Sequence, residues 1–148
     1  MVILHNMEVM IIGGWPTTKS VIIYNGNSFT DAPDLLFSAD YLPSCALFHS
    51  KKHNSRPVVL VVSGQNAQIY DYTIAGSWEE TTSPPVKFYF NQALQSLSNN
   101  GVIIQKDENF YEFSCDVDEC SWTMKPQKLI ESRSIGAIVM PLPPNFPC

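Results

Sequence analysis

The stretch MIIGGWPTTKSVIIYNGNSF, Met10 to Phe29, decides the fold. It reads as an apolar run ending in a paired glycine, a polar loop, a β-branched run ending in tyrosine, a tight turn and an aromatic. Asn25-Gly26-Asn27 is turn chemistry, because Asn and Gly tolerate positive φ, and it links two strands. Outward from this stretch lies a weaker copy, VVLVVSGQNAQIYDYTIAGSW, ending at Trp78, and a third, GVIIQKDENFYEFSCDVDECSW, ending at Trp122. Self-similarity at a fixed period signals a repeat architecture.

The register is checked by spacing. Phe29, Trp78 and Trp122 lie 49 and 44 residues apart. Tyr24, Tyr70 and Phe113 lie 46 and 43 apart, and Ala46, Ala93 and Ala137 lie 47 and 44 apart. Gly13 and Gly64 lie 51 apart. Each unit has room for four short strands, the content of one propeller blade. The expected fold class is all-β: an open segment of a β-propeller with about three four-stranded antiparallel blades. The first blade spans 8–30 and lacks its inner strand; the second spans 44–80 and the third 91–124. Residues 134–140 would be the first strand of a fourth. Pro57 to Ser63 is apolar at nearly every position, as for an inner strand covered on both faces. Lys51 to Pro57 reads as a polar hairpin loop, and Thr30 to Pro43 as a long surface connection.

The recurring residue types have structural jobs. Glycine removes a side chain where the backbone turns sharply. Large aromatics supply apolar area between neighbouring blades, so Tyr24, Phe29, Tyr70, Trp78, Phe113 and Trp122 are expected to pack. Alanine on the first strand of each unit fits a crowded channel wall.

Gly13-Gly14 followed by separated Tyr24 and Phe29 resembles the kelch repeat, a double glycine followed by a tyrosine and a tryptophan. Gly64, Tyr70 and Trp78 resemble a second copy with one glycine lost. Phe113 and Trp122 resemble a third, with Gln105-Lys106 where the glycines would stand. The resemblance covers Glu8 to Met140. It implies a propeller whose loops bind other proteins. It also implies that blades are missing, since a closed propeller takes about four to eight. The chain therefore reads as a segment of a larger propeller or a truncated gene model, and its open ends need missing blades or self-association to cover them.

Composition narrows the function classes. The chain has 148 residues, 45% hydrophobic and 16% charged, with net charge −5. A core is affordable, and a nucleic-acid partner held by phosphate neutralisation is disfavoured. No apolar run reaches the length of a membrane-spanning helix. The start, MVILHNMEVM, lacks a basic n-region and a long apolar stretch, so it does not read as a signal peptide, although a missing upstream segment would hide one.

Chemistry-bearing residues are few. Cys115 and Cys120 flank a four-residue turn at disulfide reach. Bonded, they imply a secreted protein; reduced, a cytoplasmic one. Cys45 reads as a small buried residue, and Cys148 as a terminal orphan. No second Cys/His pair supports zinc. Asp116, Asp118 and Glu119 read as a solvated acidic turn, because the glycine and distal glutamate of a calcium loop are absent. His49 and His53 read as surface histidines. No catalytic motif occurs, and no cofactor is expected.

Binding residues are then sought on loops. Loops between second and third strands, and between blades, emerge on one face. They carry Trp15, Lys19, Gln65 and Asn66, with Asp31, Asp34, Asp40 and Tyr41 in the Thr30–Pro43 connection. The leading expectation is a non-catalytic scaffold that binds a protein through these loops. A secreted, disulfide-stabilised propeller binding glycan or another extracellular ligand is the alternative. An enzyme fragment of the galactose-oxidase kind is a third, although no tyrosine, histidine and cysteine converge to argue for copper.

Overall fold

The computed structural model describes residues 1–14, 19–39, 43–74, 76–89, 93–96 and 98–128. Among these residues the chain is all-β, an open stack of three four-stranded antiparallel sheets with no closed barrel. The first sheet is β1 (Val2–Ile3), β2 (Val9–Ile12), β3 (Val21–Tyr24) and β4 (Phe29–Ala32). The second is β5 (Ser44–Ser50), β6 (Arg56–Ser63), β7 (Asn66–Tyr70) and β8 (Glu79–Glu80). The third is β9 (Ala93–Gln95), β10 (Gly101–Lys106), β11 (Asn109–Cys115) and β12 (Cys120–Lys128). Every sheet is a meander, each strand pairing with the next in sequence. The first strands lie side by side, β1 against β5 and β5 against β9, so the sheets converge along one edge.

The first sheet is complete, contrary to the reading that its inner strand is absent. Val2 pairs with Met10 and Ile3 with Val9. Two residues suffice because the Leu4 N–H donates to Glu8 O at 2.8 Å and the Met7 N–H to Leu4 O at 3.0 Å, closing the turn between β1 and β2. The segment 51–57 also differs from expectation. Lys51–His53 form a short 3₁₀ turn, with Asn54 and Ser55 at positive φ, and β6 already begins at Arg56. The proposed strand at 134–140, with Ala137, lies outside the described residues.

Two apolar layers hold the stack. Strand alternation sends Val59 and Val61 of β6 toward the first sheet and Val58, Leu60 and Val62 toward the third. All five are fully buried, each worth roughly 1.5–3 kcal/mol of transfer free energy. The first layer joins Met10, Ile12 and Val21 to Val59, Val61, Tyr70 and Trp78. The second joins Phe48, Val58, Leu60 and Ile69 to Val102, Ile104, Tyr111 and Phe113. Ala46 and Ala93 belong to this second layer rather than to a channel wall.

The recurring aromatics explain the period. Tyr70 and Trp78 stack at 5.1 Å and face the first sheet. Phe113 and Trp122, 5.0 Å apart, face the second. Each tryptophan also clips the preceding sheet's outgoing connection: Trp78 Nε1 donates to Pro33 O at 2.8 Å, and Trp122 Nε1 to Thr82 O at 2.8 Å. One side chain thereby fills the layer and pins the chain that leaves the neighbouring sheet. Phe29, the counterpart in the first sheet, packs on Tyr24 at 4.8 Å but is 62% exposed. It corrects the expectation that all six aromatics are packed between sheets. The reason is architectural: among the described residues no sheet lies on that side of the first one.

Gly13 and Gly64, the matching signature glycines, both adopt positive φ, 69° and 61°. The third unit lacks them and turns on Asp107 instead, at φ 54°, within a two-residue turn between Lys106 and Asn109. Short Asp residues tolerate this region better than β-branched ones.

Candidate functional site

A meander sends its loops to two opposite ends. At one end lie the turns from second to third strands and the connections between sheets, as the loop argument requires. The first connection is tied down by its neighbours. The Leu35 N–H donates to Lys19 O at 2.9 Å, Lys19 Nζ donates to Leu36 O at 2.6 Å, and the Leu36 N–H donates to Gln68 Oε1 at 2.9 Å. With the Trp78 clip on Pro33, residues 33–36 are held at four points. Leu35 plugs the first apolar layer. The second connection repeats the device: Gly64 and Phe88 exchange both backbone hydrogen bonds, 2.9 and 3.0 Å, and Phe88 fills the second layer. Tyr89 lies over Gly64, where an added Cβ would meet its hydroxyl oxygen at 3.4 Å.

This end brings some expected residues together. Lys19 and Asp34 are exposed and share one pinned loop pair, while Gln65 and Asn66 are exposed on the equivalent turn of the second sheet. Lys19 spends part of its cationic head on Leu36 O. Asp31 is placed differently: it sits within β4, opposite Ile22, on the lateral face of the first sheet. Trp15, Asp40 and Tyr41 lie outside the described residues. Gln68 is a partner that sequence reasoning passed over. It is fully buried, and the only signal was a polar residue in an inward register of β7.

The opposite end is polar and ion-paired. Arg56 Nη2 lies 3.0 Å from Asp71 Oδ2, a charge contact that is not aligned as a hydrogen bond. Asp71 Oδ1 caps the turn through the Thr73 N–H at 3.0 Å. His53 is buried with Nδ1 2.8 Å from Ser50 Oγ, and His49 sits in β5 with its ring 5.1 Å from that of His5. His53 is thus buried where a surface histidine is expected, and His49 is half-buried on a strand. Cys115 and Cys120 are cross-strand partners joined by a disulfide, Cα–Cα 3.9 Å, below the turn closed by Asp116 N–H to Glu119 O. Beside it a cleft of about 180 Å³ is lined by Lys51, Asn100, Glu112 and Asp116 among others, with Lys51 and Asp116 paired at 2.8 Å. That volume falls short of the roughly 300 Å³ of a small-molecule pocket. Among the described residues no group of three or more His, Cys, Asp or Glu side chains could hold a metal ion. No helix among them is long and apolar enough to cross a membrane.

Two phenols report on this packing. Burial raises Tyr70 above the ordinary tyrosine value of 10.0, with the Asp71 carboxylate adding to it. Burial raises Tyr72 as well; the His5 N–H, which donates to its oxygen at 3.2 Å, works in the other direction, and Asp71 and Glu8 push it up. A phenol whose pKa is raised by folding stabilises the fold below its unfolded pKa. That stability is lost as pH rises through the folded pKa. The denaturant midpoint should therefore hold to about pH 10 and fall above it, with two phenols ionising late in an ultraviolet titration. A midpoint that stays flat through the titration of all tyrosines would contradict this.

No protein-family model matches the chain, and neither a curated protein nor a solved structure resembles it significantly.

Proposed function

We propose that the chain is a kelch-type propeller segment that acts as a non-catalytic protein-interaction module. The observation that carries this reading is the repetition of a whole device. Three meanders stack face to face, and each of the two covered ones clips its neighbour's outgoing connection with an aligned tryptophan. That arrangement holds the loops at one end as a rigid display, and function on such scaffolds is carried by loops. Lys19, Asp34, Gln65 and Asn66 supply polar contacts there, and Trp15, Asp40 and Tyr41 are their sequence-based companions. Tyr89 adds an exposed aromatic to the same end.

The test is partner capture by the full chain. Proteins retained by the immobilised wild type are compared with those retained by Lys19→Ala/Asp34→Ala/Gln65→Ala/Asn66→Ala, with Lys51→Ala/Asp116→Ala as an opposite-end control. A partner lost at least tenfold with the first variant, about 1.4 kcal/mol, and kept with the second supports the reading. Equal retention on all three removes it.

The disulfide between Cys115 and Cys120 favours a second reading, an extracellular propeller that binds glycan or another ligand outside the cell. Mass spectrometry of native protein under non-reducing conditions decides. Free thiols at both positions would leave the first reading alone.

A further inference from the structure

We infer that Asn100 is a self-modification site: the Gly101 backbone nitrogen attacks its side-chain amide, and the isoaspartate that results loosens the third sheet from the second. The site lies on the turn between β9 and β10, at the end opposite the binding loops, so the inference does not depend on what those loops hold. Asparagine is a thermally labile residue. A glycine after it leaves the attacking nitrogen unshielded, because glycine has no side chain. The Gly101 N–H gives its proton to water as the nitrogen bonds to Asn100 Cγ, and the side-chain nitrogen leaves as ammonia. Water then opens the cyclic imide at either carbonyl. One opening gives aspartate; the other gives isoaspartate, in which the main chain runs through the former side chain. Water is the only co-reactant.

Two Asn-Gly pairs occur in the sequence, and the fold treats them differently. Asn25 Oδ1 accepts the Asn27 N–H at 3.0 Å, the Ser28 N–H at 2.9 Å and the Ser28 hydroxyl at 3.4 Å. Tyr24 donates its hydroxyl to Gly26 O at 2.6 Å, so the following peptide is held as well. Turning Asn25 Cγ onto the Gly26 nitrogen would break these bonds together. Asn100 is exposed, and its amide makes no hydrogen bond among the described residues. Glycine is also required at 101. A Cβ there would stand 2.7 Å from Phe113 O, a backbone atom fixed by the pairing of β10 with β11. Packing thus demands, after Asn100, the residue type that makes an asparagine labile.

The turn is a joint between sheets. The Ser96 N–H donates to Gly101 O at 2.8 Å and the Asn99 N–H to Ser96 O at 2.9 Å, which closes it. Asn99, at φ 60°, offers its carbonyl to the His49 N–H of β5 at 2.7 Å. That bond ties the third sheet to the second. Isoaspartate inserts an extra main-chain atom between Asn99 and Gly101. Backbone bond lengths are fixed, so the turn keeps Gly101 in place only by moving Asn99 O off the His49 N–H. The new carboxylate acts in the same direction. Asn100 lines the cleft with Lys51, Glu112 and Asp116, and Lys51 is already paired with Asp116 at 2.8 Å. A third carboxylate there competes for that ammonium.

The experiment is ageing of the full chain at physiological temperature and mildly alkaline pH, with a parallel sample in urea, followed by peptide mass spectrometry. Enzymatic methylation of isoaspartate identifies the product. In urea the two Asn-Gly pairs should convert at similar rates. In the native chain Asn100 should convert at least about tenfold faster than Asn25. Hydrogen exchange at the His49 amide should then speed up at least about tenfold in the aged protein, while Asn100→Gln, aged alongside, keeps its protection. Fresh Asn100→Asp carries the carboxylate without the extra main-chain atom, and should protect His49 better than the aged wild type does. Far-UV circular dichroism verifies that each sample is folded. Equal native rates at Asn25 and Asn100, or a slower rate at Asn100, would overturn the site. Unchanged His49 exchange in aged wild type, or the same loss in aged Asn100→Gln, would overturn its effect on the joint.

Discussion

Replacing Trp78 with alanine is expected to cost about 3–5 kcal/mol, the range for deleting a buried aromatic, and to free the first sheet before the other two. Trp78 is 2% exposed, stacks on Tyr70 and donates to Pro33 O. Its loss opens a cavity in the first layer and orphans a carbonyl in the connection that Lys19 and Gln68 also hold. The first sheet has short strands and, among the described residues, one covered face, so it has little to hold it once this layer loosens. Hydrogen exchange should therefore lose protection at Ile11, Ile12, Val21 and Ile22, while Val102, Ile104 and Phe113 keep theirs. Trp78→Phe separates the two contributions. It retains most of the ring and gives up the hydrogen bond, at about 1–3 kcal/mol for the unsatisfied partner plus lost area. If Trp78→Ala and Trp78→Phe cost the same, the packing half of this account is wrong.

Replacing Phe113 with alanine should cost a similar 3–5 kcal/mol but strike the other layer. Phe113 is fully buried, edge-on to Phe48 at 5.7 Å and 83°, and 5.0 Å from Trp122. It joins β11 to β5 across the two sheets with the largest shared core. A double-mutant cycle with Phe48→Leu and Phe113→Leu should return a coupling of about 0.5–1.5 kcal/mol, the worth of an edge-to-face pair beyond its area. Because the second sheet belongs to both layers, Phe113→Ala should lower the unfolding midpoint of the whole chain. Trp78→Ala should instead split off a local transition. Nearest-neighbour coupling in a stacked array predicts this asymmetry. Two identical, fully cooperative transitions would argue that the layers are not separable.

The sequence carried the stack more fully than the site. Val58 to Val62 could be read as covered on both faces because no polar residue interrupts the run, and burial there is complete. The aromatic spacing located the inter-sheet contacts at Tyr70, Trp78, Phe113 and Trp122 because packing between equivalent sheets imposes one register. Phe29 looked identical in that register. Its exposure depends on what lies beyond the first sheet, which no local pattern encodes. Val2–Ile3 escaped notice because a two-residue strand has no periodicity to detect. On the loop end, position and residue type marked Lys19 as a partner-binding residue. The carbonyl of Leu36 that engages it comes from a connection seventeen residues away. Gln68 was hidden by the same cause: a buried amide is intelligible only once the Leu36 N–H is beside it.

Equivalent sheets are stacked and locked by equivalent tryptophans. Nuclear Overhauser contacts of the indole Hε1 protons test it most directly. The Trp78 indole proton should show contacts to Pro33 and Asp34, and the Trp122 indole proton to Thr82 and Ser83. Contacts from either indole confined to its own sheet would contradict it.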